Sequence, residues 1–439
     1  MNQHYIQFTE EMKKTHTILI PNMLPVHFKL VRRILMNAGY KVELLETEGA
    51  HLAETGQKYV HNDTCYPAIL VIGQLLDALM SGKYDPKTTA LMLFQTGGGC
   101  RASNYVSLMR KALKNAGLEY VPVIPLALAN IETHSGFKNS LGLYYKMAYG
   151  AFYGDLMMAL ANQVRPYEVN KGDADALMAQ WTEHLVGELG HGIHYSQVKK
   201  NYAAIVRDFA KIPREDREAV KVGIVGEIYV KFSPLGNNNL EKFLASEGAE
   251  VVLPGLIDFF NYCVYNGIMD YKLYGKNPAA ALVYKMVFDF LQKKQADINR
   301  AIISEGTFRP MTPFKHTIEL TKDYIGYGTK MGEGWLLSAE MLELADSGVL
   351  NIVCTQPFGC LPNHICGKGM MKPIKESIPG ANIVAIDYDP GASVVNQENR
   401  LKLMLASARH AADRHTMEQQ KKGIAHKHGH ASEKEKVSV

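Results

Sequence analysis

The 439-residue chain is short of several things, and each absence removes a class of function. No apolar run reaches the roughly 18 residues that a membrane-spanning helix needs. The longest, Pro67 to Met80, is interrupted by Gln74 and Asp77. The opening MNQHYIQFTEEMKK lacks the order of a secretory signal, which predicts a cytoplasmic protein that engages no membrane. No G-x-x-x-x-G-K-S/T loop, G-x-S-x-G elbow or H-E-x-x-H helix occurs. ATP hydrolysis, if involved, therefore belongs to another chain, and the commonest hydrolase readings fall away. A net charge of +4, with much of the basic character beyond His410, makes no case for nucleic acid.

Cysteine is sparse as well. The six present (Cys65, Cys100, Cys263, Cys354, Cys360, Cys366) are too few for a disulfide scaffold. In a reducing compartment such thiols are buried, catalytic or bound to metal. No close Cys-x2-Cys pair of the kind structural zinc prefers is found.

What is there suits a globular protein of two domains and a tail, with 47% hydrophobic and 21% charged residues. His16 to Pro21 reads as a strand, Val26 to Ala38 as an amphipathic helix and Lys41 to Leu45 as a second strand. The alternation continues with helix Pro67–Met80, strand Thr89–Gln95, helix Ala102–Ala116 and strand Tyr120–Pro125. Strands joined by such helices predict an α/β fold with parallel sheets. Several helices are expected between Asn139 and Lys211. A strand at Lys221–Glu227, a helix at Asn238–Ser246 and a strand at Ala249–Leu253 then restart the pattern. Helices at Pro278–Gln295 and Trp335–Ser347, strands at Gly348–Cys354 and Asn382–Asp387, and a helix at Ser393–Ala408 complete it. The expected division is 1–215, 216–408 and a disordered polar tail at 409–439.

In open parallel sheets, ligands gather where the strands end. Cys100 follows strand Thr89–Gln95 through Gly97, Gly98 and Gly99, and a helix comes next. Gly97, Gly98 and Gly99 let backbone approach a bulky group, and the helix dipole favours a thiolate; a tight turn with a core cysteine is the plain alternative. Cys65 stands before Pro67 at a helix start, where a thiol binds metal readily or is simply inert. Cys360 is framed by Pro357, Gly359 and Pro362. Cys354 and Cys366 lie six residues to either side; the first reads as core and the second as a further candidate ligand. Cys263 reads as packing. Ligands drawn from distant loops suit an iron–sulfur cluster better than zinc. Gly326 to Gly334 (GYGTKMGEG) reads as a flexible loop able to receive a phosphate. His184, His191 and His194 read as solvated, and the tail's His426, His428 and His430 carry no further meaning.

The segments HNDTCYPAILVIGQ, GGGCRASNY, QPFGCLPNHICGKG and IDYDPGASVVNQENRLKLM resemble the 2-hydroxyacyl-CoA dehydratase family, which includes benzoyl-CoA reductase subunits and double-cubane cluster proteins. The likeness is strongest to the dehydratase-like C-terminal region of activase-related proteins. It implies two Rossmann-like domains facing a cleft that holds an iron–sulfur cluster. Cys65 and Cys100 of the first domain and Cys360 of the second would be its ligands. The resemblance also implies an ATP-hydrolysing, iron–sulfur activase dimer as electron donor, and a small-molecule substrate such as an acyl-CoA. A homo- or hetero-dimer is expected. A single 4Fe-4S cube is favoured over an 8Fe-9S double cubane, which would draw on nearly every cysteine. Proximity nominates His61, Asp63, Arg101, Ser103, Asn104, Asn363 and His364 as helpers, Arg101 first because a cation beside a cluster raises its potential. An electron-relay or scaffold subunit without a substrate site, and a zinc-stabilised binding protein, are the alternatives.

Overall fold

The computed structural model describes residues 5–95, 99–126, 132–191 and 193–411. Two sheets of four parallel strands, covered by helices, give an α/β fold with two Rossmann-like domains. The first sheet contains β1 (Thr17–Pro21), β2 (Lys41–Leu45), β3 (Thr89–Phe94) and β4 (Val123–Leu126), in the order β2-β1-β3-β4. The second contains β5 (Lys221–Gly226), β6 (Glu250–Val252), β7 (Asn351–Pro357) and β8 (Asn382–Tyr388), in the order β6-β5-β7-β8. Register is fixed at the centre of each sheet by Ile18 opposite both Val42 and Ala90, and by Ile224 opposite Val353. Ile18, Leu19 and Ile20 are all fully buried, so β1 meets helices on both faces and reads as a continuous apolar run.

One large core runs from Ile18 and Ile20 through helix Leu141–Val164 to Phe288, Phe314 and Trp335. The Trp335 ring is ringed by Tyr262 at 5.0 Å and Tyr327 at 5.3 Å. A smaller core lies against the second sheet, around Val225, Met341, Ile352, Cys354 and Ile374. Asp155, on helix Leu141–Val164, accepts hydrogen bonds from the Leu256 and Ile257 N–H groups at 2.8 and 2.9 Å and pairs with His27 at 2.8 Å. Helix Leu256–Tyr274 is therefore capped by a residue far upstream, which satisfies N–H groups that its own Gly255 cannot.

Several boundaries differ from those expected. The helix expected from Ala102 is a 3-10 turn at Arg101–Asn104 followed by helix Tyr105–Asn115, the break falling at Asn104 with φ −129° and ψ 10°. Asn238 and Asn239 both take left-handed backbone, so the next helix starts only at Leu240. The helix expected to end at Gln295 continues to Glu305, where Gly306 stops it. Strand Tyr120–Pro125 shrinks to β4. Helices His51–Tyr59 and Leu256–Tyr274 were not expected at all. The residues up to Ala392 form one compact unit; the stretch from Ser393 is a separate one, whose described part is a helix over 394–411. No helix among the described residues is long and apolar enough to cross a membrane.

Candidate functional site

Two cysteines come from loops of the first domain and one from the second. Cys65 is the residue from which helix Tyr66–Met80 starts, with Pro67 in the first turn, where a missing N–H costs nothing. Cys100 precedes the 3-10 turn after β3. Cys360 follows β7 through a turn that Gly359 makes possible: its φ is +70°, and a Cβ there would stand 3.1 Å from the Cys65 Cα. The next turn of chain, Asn363–Gly367, is π-helical, a local widening often found at functional sites.

These three cysteines converge. The Tyr66 N–H donates to the Phe358 carbonyl at 3.0 Å, tying the helix start of Cys65 to the loop of Cys360. The Cys65 thiol lies 3.8 Å from the Tyr105 hydroxyl. Tyr105 is raised well above the usual tyrosine range, first by burial and then by Cys65, Glu227 and Cys100 nearby. Gly332, in the 326–334 loop, sits where a Cβ would be 3.0 Å from Pro362 and 3.6 Å from the Cys100 Cβ. The Met331 side chain of that loop lies against Gly99. The glycine-rich loop thus serves as a cover over the cysteines rather than as a separate phosphate loop. Gly97 and Gly98, expected to approach a cofactor, lie outside the described residues.

Two carboxylates that sequence reading missed complete the site. Glu227, directly after β5, accepts from the Val230 N–H at 2.9 Å; Glu333, in the cover loop, accepts from the Ile228 N–H at 3.0 Å. Burial raises Glu227 to about 8, with neighbouring Glu333 next in effect, and burial raises Glu333 as well. A carboxyl at about 8 carries its proton at neutral pH and can donate it. Burial also pushes the Cys65 thiol up to about 11, against the opposing pull of the Ala68 N–H and Tyr105, and it raises Cys360, with Glu333 and Glu227 adding to the effect. Thiols held neutral this firmly become thiolates when a positive group lies beside them.

The remaining candidates spread out. Arg101 is exposed, yet its charge acts to lower the Cys65 thiol. The Ser103 hydroxyl donates to the Cys100 carbonyl at 2.7 Å and so fixes that turn. His61 and Asp63 pair with each other at 3.4 Å on the surface, and Asn104 and His364 are exposed. Asn363 is fully buried; it donates to the Thr355 carbonyl at 2.9 Å and faces the Cys354 thiol at 3.7 Å, fastening the Cys360 loop to β7. Cys354 belongs to the core of the second sheet, and burial pushes it to about 12. Cys366 lies buried in the π-helical turn, its carbonyl accepting from Ser338 at 2.6 Å. Cys263 packs against the main core.

Among the described residues, no three His, Cys, Asp or Glu side chains are placed to hold a single metal ion. A cluster makes a different demand, since its thiolates bond separate irons and stand further apart than ligands of one ion. Cys65, Cys100 and Cys360, from three loops on two domains, are donors of the type such a cluster takes. Buried polar atoms without a protein partner add to the fit: the Thr64 hydroxyl next to Cys65, and both amide atoms of Gln356, four residues before Cys360. Neither a protein-family model nor a curated protein matches this chain. The functional reading therefore rests on this constellation of three thiols and two buried carboxyls.

Proposed function

We propose that the chain is the iron–sulfur component of an activase-driven, ATP-dependent low-potential reductase or 2-hydroxyacyl-CoA dehydratase-like enzyme of the cytoplasm. The observation that carries this reading is the convergence of Cys65, Cys100 and Cys360 beneath the 326–334 loop. Those three residues would hold a 4Fe-4S cluster, which supplies one electron at low potential when bound. The protein's share follows from its own side chains. Met331 and the cover loop keep water from the thiols. Arg101 offsets thiolate charge. Glu227 holds a proton beside the site, with the buried Glu333 carboxyl next to it, and a reduction that adds an electron at a substrate carbonyl or hydroxyl also needs a proton. Those carboxyls favour a substrate-transforming subunit over a plain electron relay. The activase and a small acyl-CoA-like substrate remain the partners this reading calls for.

The test is iron and acid-labile sulfide per chain, on protein purified without oxygen, for the parent and for Cys65→Ser, Cys100→Ser and Cys360→Ser. About four irons, lost in each variant, is the expected result. About eight would bring Cys354 and Cys366 into a double cubane. Zinc, or no metal at all, would overturn the reading.

A further inference from the structure

Asn104 starts helix Tyr105–Asn115 without capping it by its own side chain. Gln95, just past the end of β3, supplies the missing acceptor: its side-chain oxygen takes the Val106 N–H at 3.1 Å. Val106 is itself buried, and the Ser103 hydroxyl fixes the turn before it through the Cys100 carbonyl. The first residue of the helix is thus positioned by protein contacts on both sides. None of them uses the Tyr105 hydroxyl, so a phenylalanine ring would serve the fold equally well.

That hydroxyl is buried, and a buried hydroxyl costs free energy unless it is bonded. Among the described residues its one hydrogen-bond partner is the Cys65 sulfur, 40 residues earlier in the chain and 3.8 Å away. As a thiol, Cys65 can donate or accept. As a thiolate on iron it has no proton and can only accept, from the Tyr105 O–H and from the Ala68 N–H of its own helix. Cys360 differs in drawing on the backbone, through the Asn363 N–H. A bond donated to a ligand sulfur draws charge away from iron, and it strengthens when an added electron makes that sulfur more negative. The reduced state gains more than the oxidised one. We propose that Tyr105 acts through Cys65 as a positioning residue for electron uptake: its hydroxyl donates to the Cys65 sulfur and raises the reduction potential of the bound cluster. One electron enters from the activase, and the proton stays on Tyr105. The inference rests on the reading of Cys65, Cys100 and Cys360 as cluster ligands.

Redox titration of the full chain, purified without oxygen, compares the parent with Tyr105→Phe, which keeps the ring and removes only the donor. Iron and sulfide per chain should match the parent, while the midpoint potential shifts downward. Pulsed electron–nuclear double resonance on the reduced cluster, after exchange into D2O, gives a second readout. One exchangeable-hydrogen coupling seen in the parent should be missing from Tyr105→Phe. Iron-loaded proteins with the same potential, a higher potential in Tyr105→Phe, or identical couplings in both would overturn this assignment and leave the cluster reading standing. Loss of iron from Tyr105→Phe alone would also overturn it, since the hydroxyl would then hold the site together instead of tuning it. A parent without iron would sink the cluster reading, and this inference with it.

Discussion

The two sheets share one strand order, in which the second strand flanks the first and the third and fourth lie on the other side. In both, the loop after the third strand carries a cysteine, Cys100 after β3 and Cys360 after β7. Beyond that the halves diverge. The first domain adds Cys65 at a helix start, whereas the second adds Glu227 after β5 and Glu333 in the cover loop. The second also packs charge around its sheet: Lys231 and Glu340 pair at 2.8 Å with side chains 3% and 2% exposed, and Glu343 lies nearby. A common scaffold has thus been given two of the thiols on one side, and on the other the third thiol with two buried carboxyls. Strand order sets where a site forms, and the loop residues decide what it can do.

The largest expected effect lies in the polar packing of the second domain. Lys231→Met leaves Glu340 buried without a partner and should cost about 3–5 kcal/mol in denaturant unfolding. Lys231→Met combined with Glu340→Leu should recover most of that loss. Asp155→Ala strikes the joint between the halves and should cost about 2–4 kcal/mol, with faster hydrogen exchange at Leu256 and Ile257.

Glu343 sharpens the contrast through pH. Burial raises its carboxyl to about 7 in the folded chain, above the ordinary value of 4.5, despite the hydroxyl of Thr312 that donates to it. Below pH 4.5 both states hold the proton and nothing is lost. As pH climbs from 4.5 to about 7 only the unfolded state releases it, so stability declines across that window, by on the order of 3 kcal/mol. Glu343→Gln should flatten that decline, measured as melting temperature against pH. The smallest effect expected is at Gly359, where alanine would take a left-handed backbone at φ +70° and should cost about 1–2 kcal/mol. An unchanged melting temperature for Gly359→Ala would show that the turn yields more easily than its contact with Cys65 suggests.

Much of this was legible in the residues. Apolar runs such as Ile18–Ile20 and the recurring strand–helix alternation announced parallel sheets, and glycine and proline around Cys100 and Cys360 marked loops that follow strands. Helix Leu256–Tyr274 was hidden because it is rich in aromatic and asparagine residues of modest helix propensity and is capped by Asp155, far away in sequence. Glu227 and Glu333 were hidden for a different reason. A lone glutamate carries no pattern, and what distinguishes these two is burial beside each other, which only the fold creates. The GYGTKMGEG loop was noticed, but its spacing gave no sign that Met331 would lie on Gly99.

The spacing of the strands along the chain also sets an order of events. The first sheet is complete once Leu126 has been made, with Cys65 and Cys100 already within it. In the second, β6 ends at Val252 and its sheet must wait for β7 at Asn351, across the long helices between them. Closing so distant a pairing is slow, because the entropy of the intervening chain is lost before any contact repays it. Of the three converging cysteines Cys360 is therefore the last to be placed, and a chain stalled before it presents only two of the three.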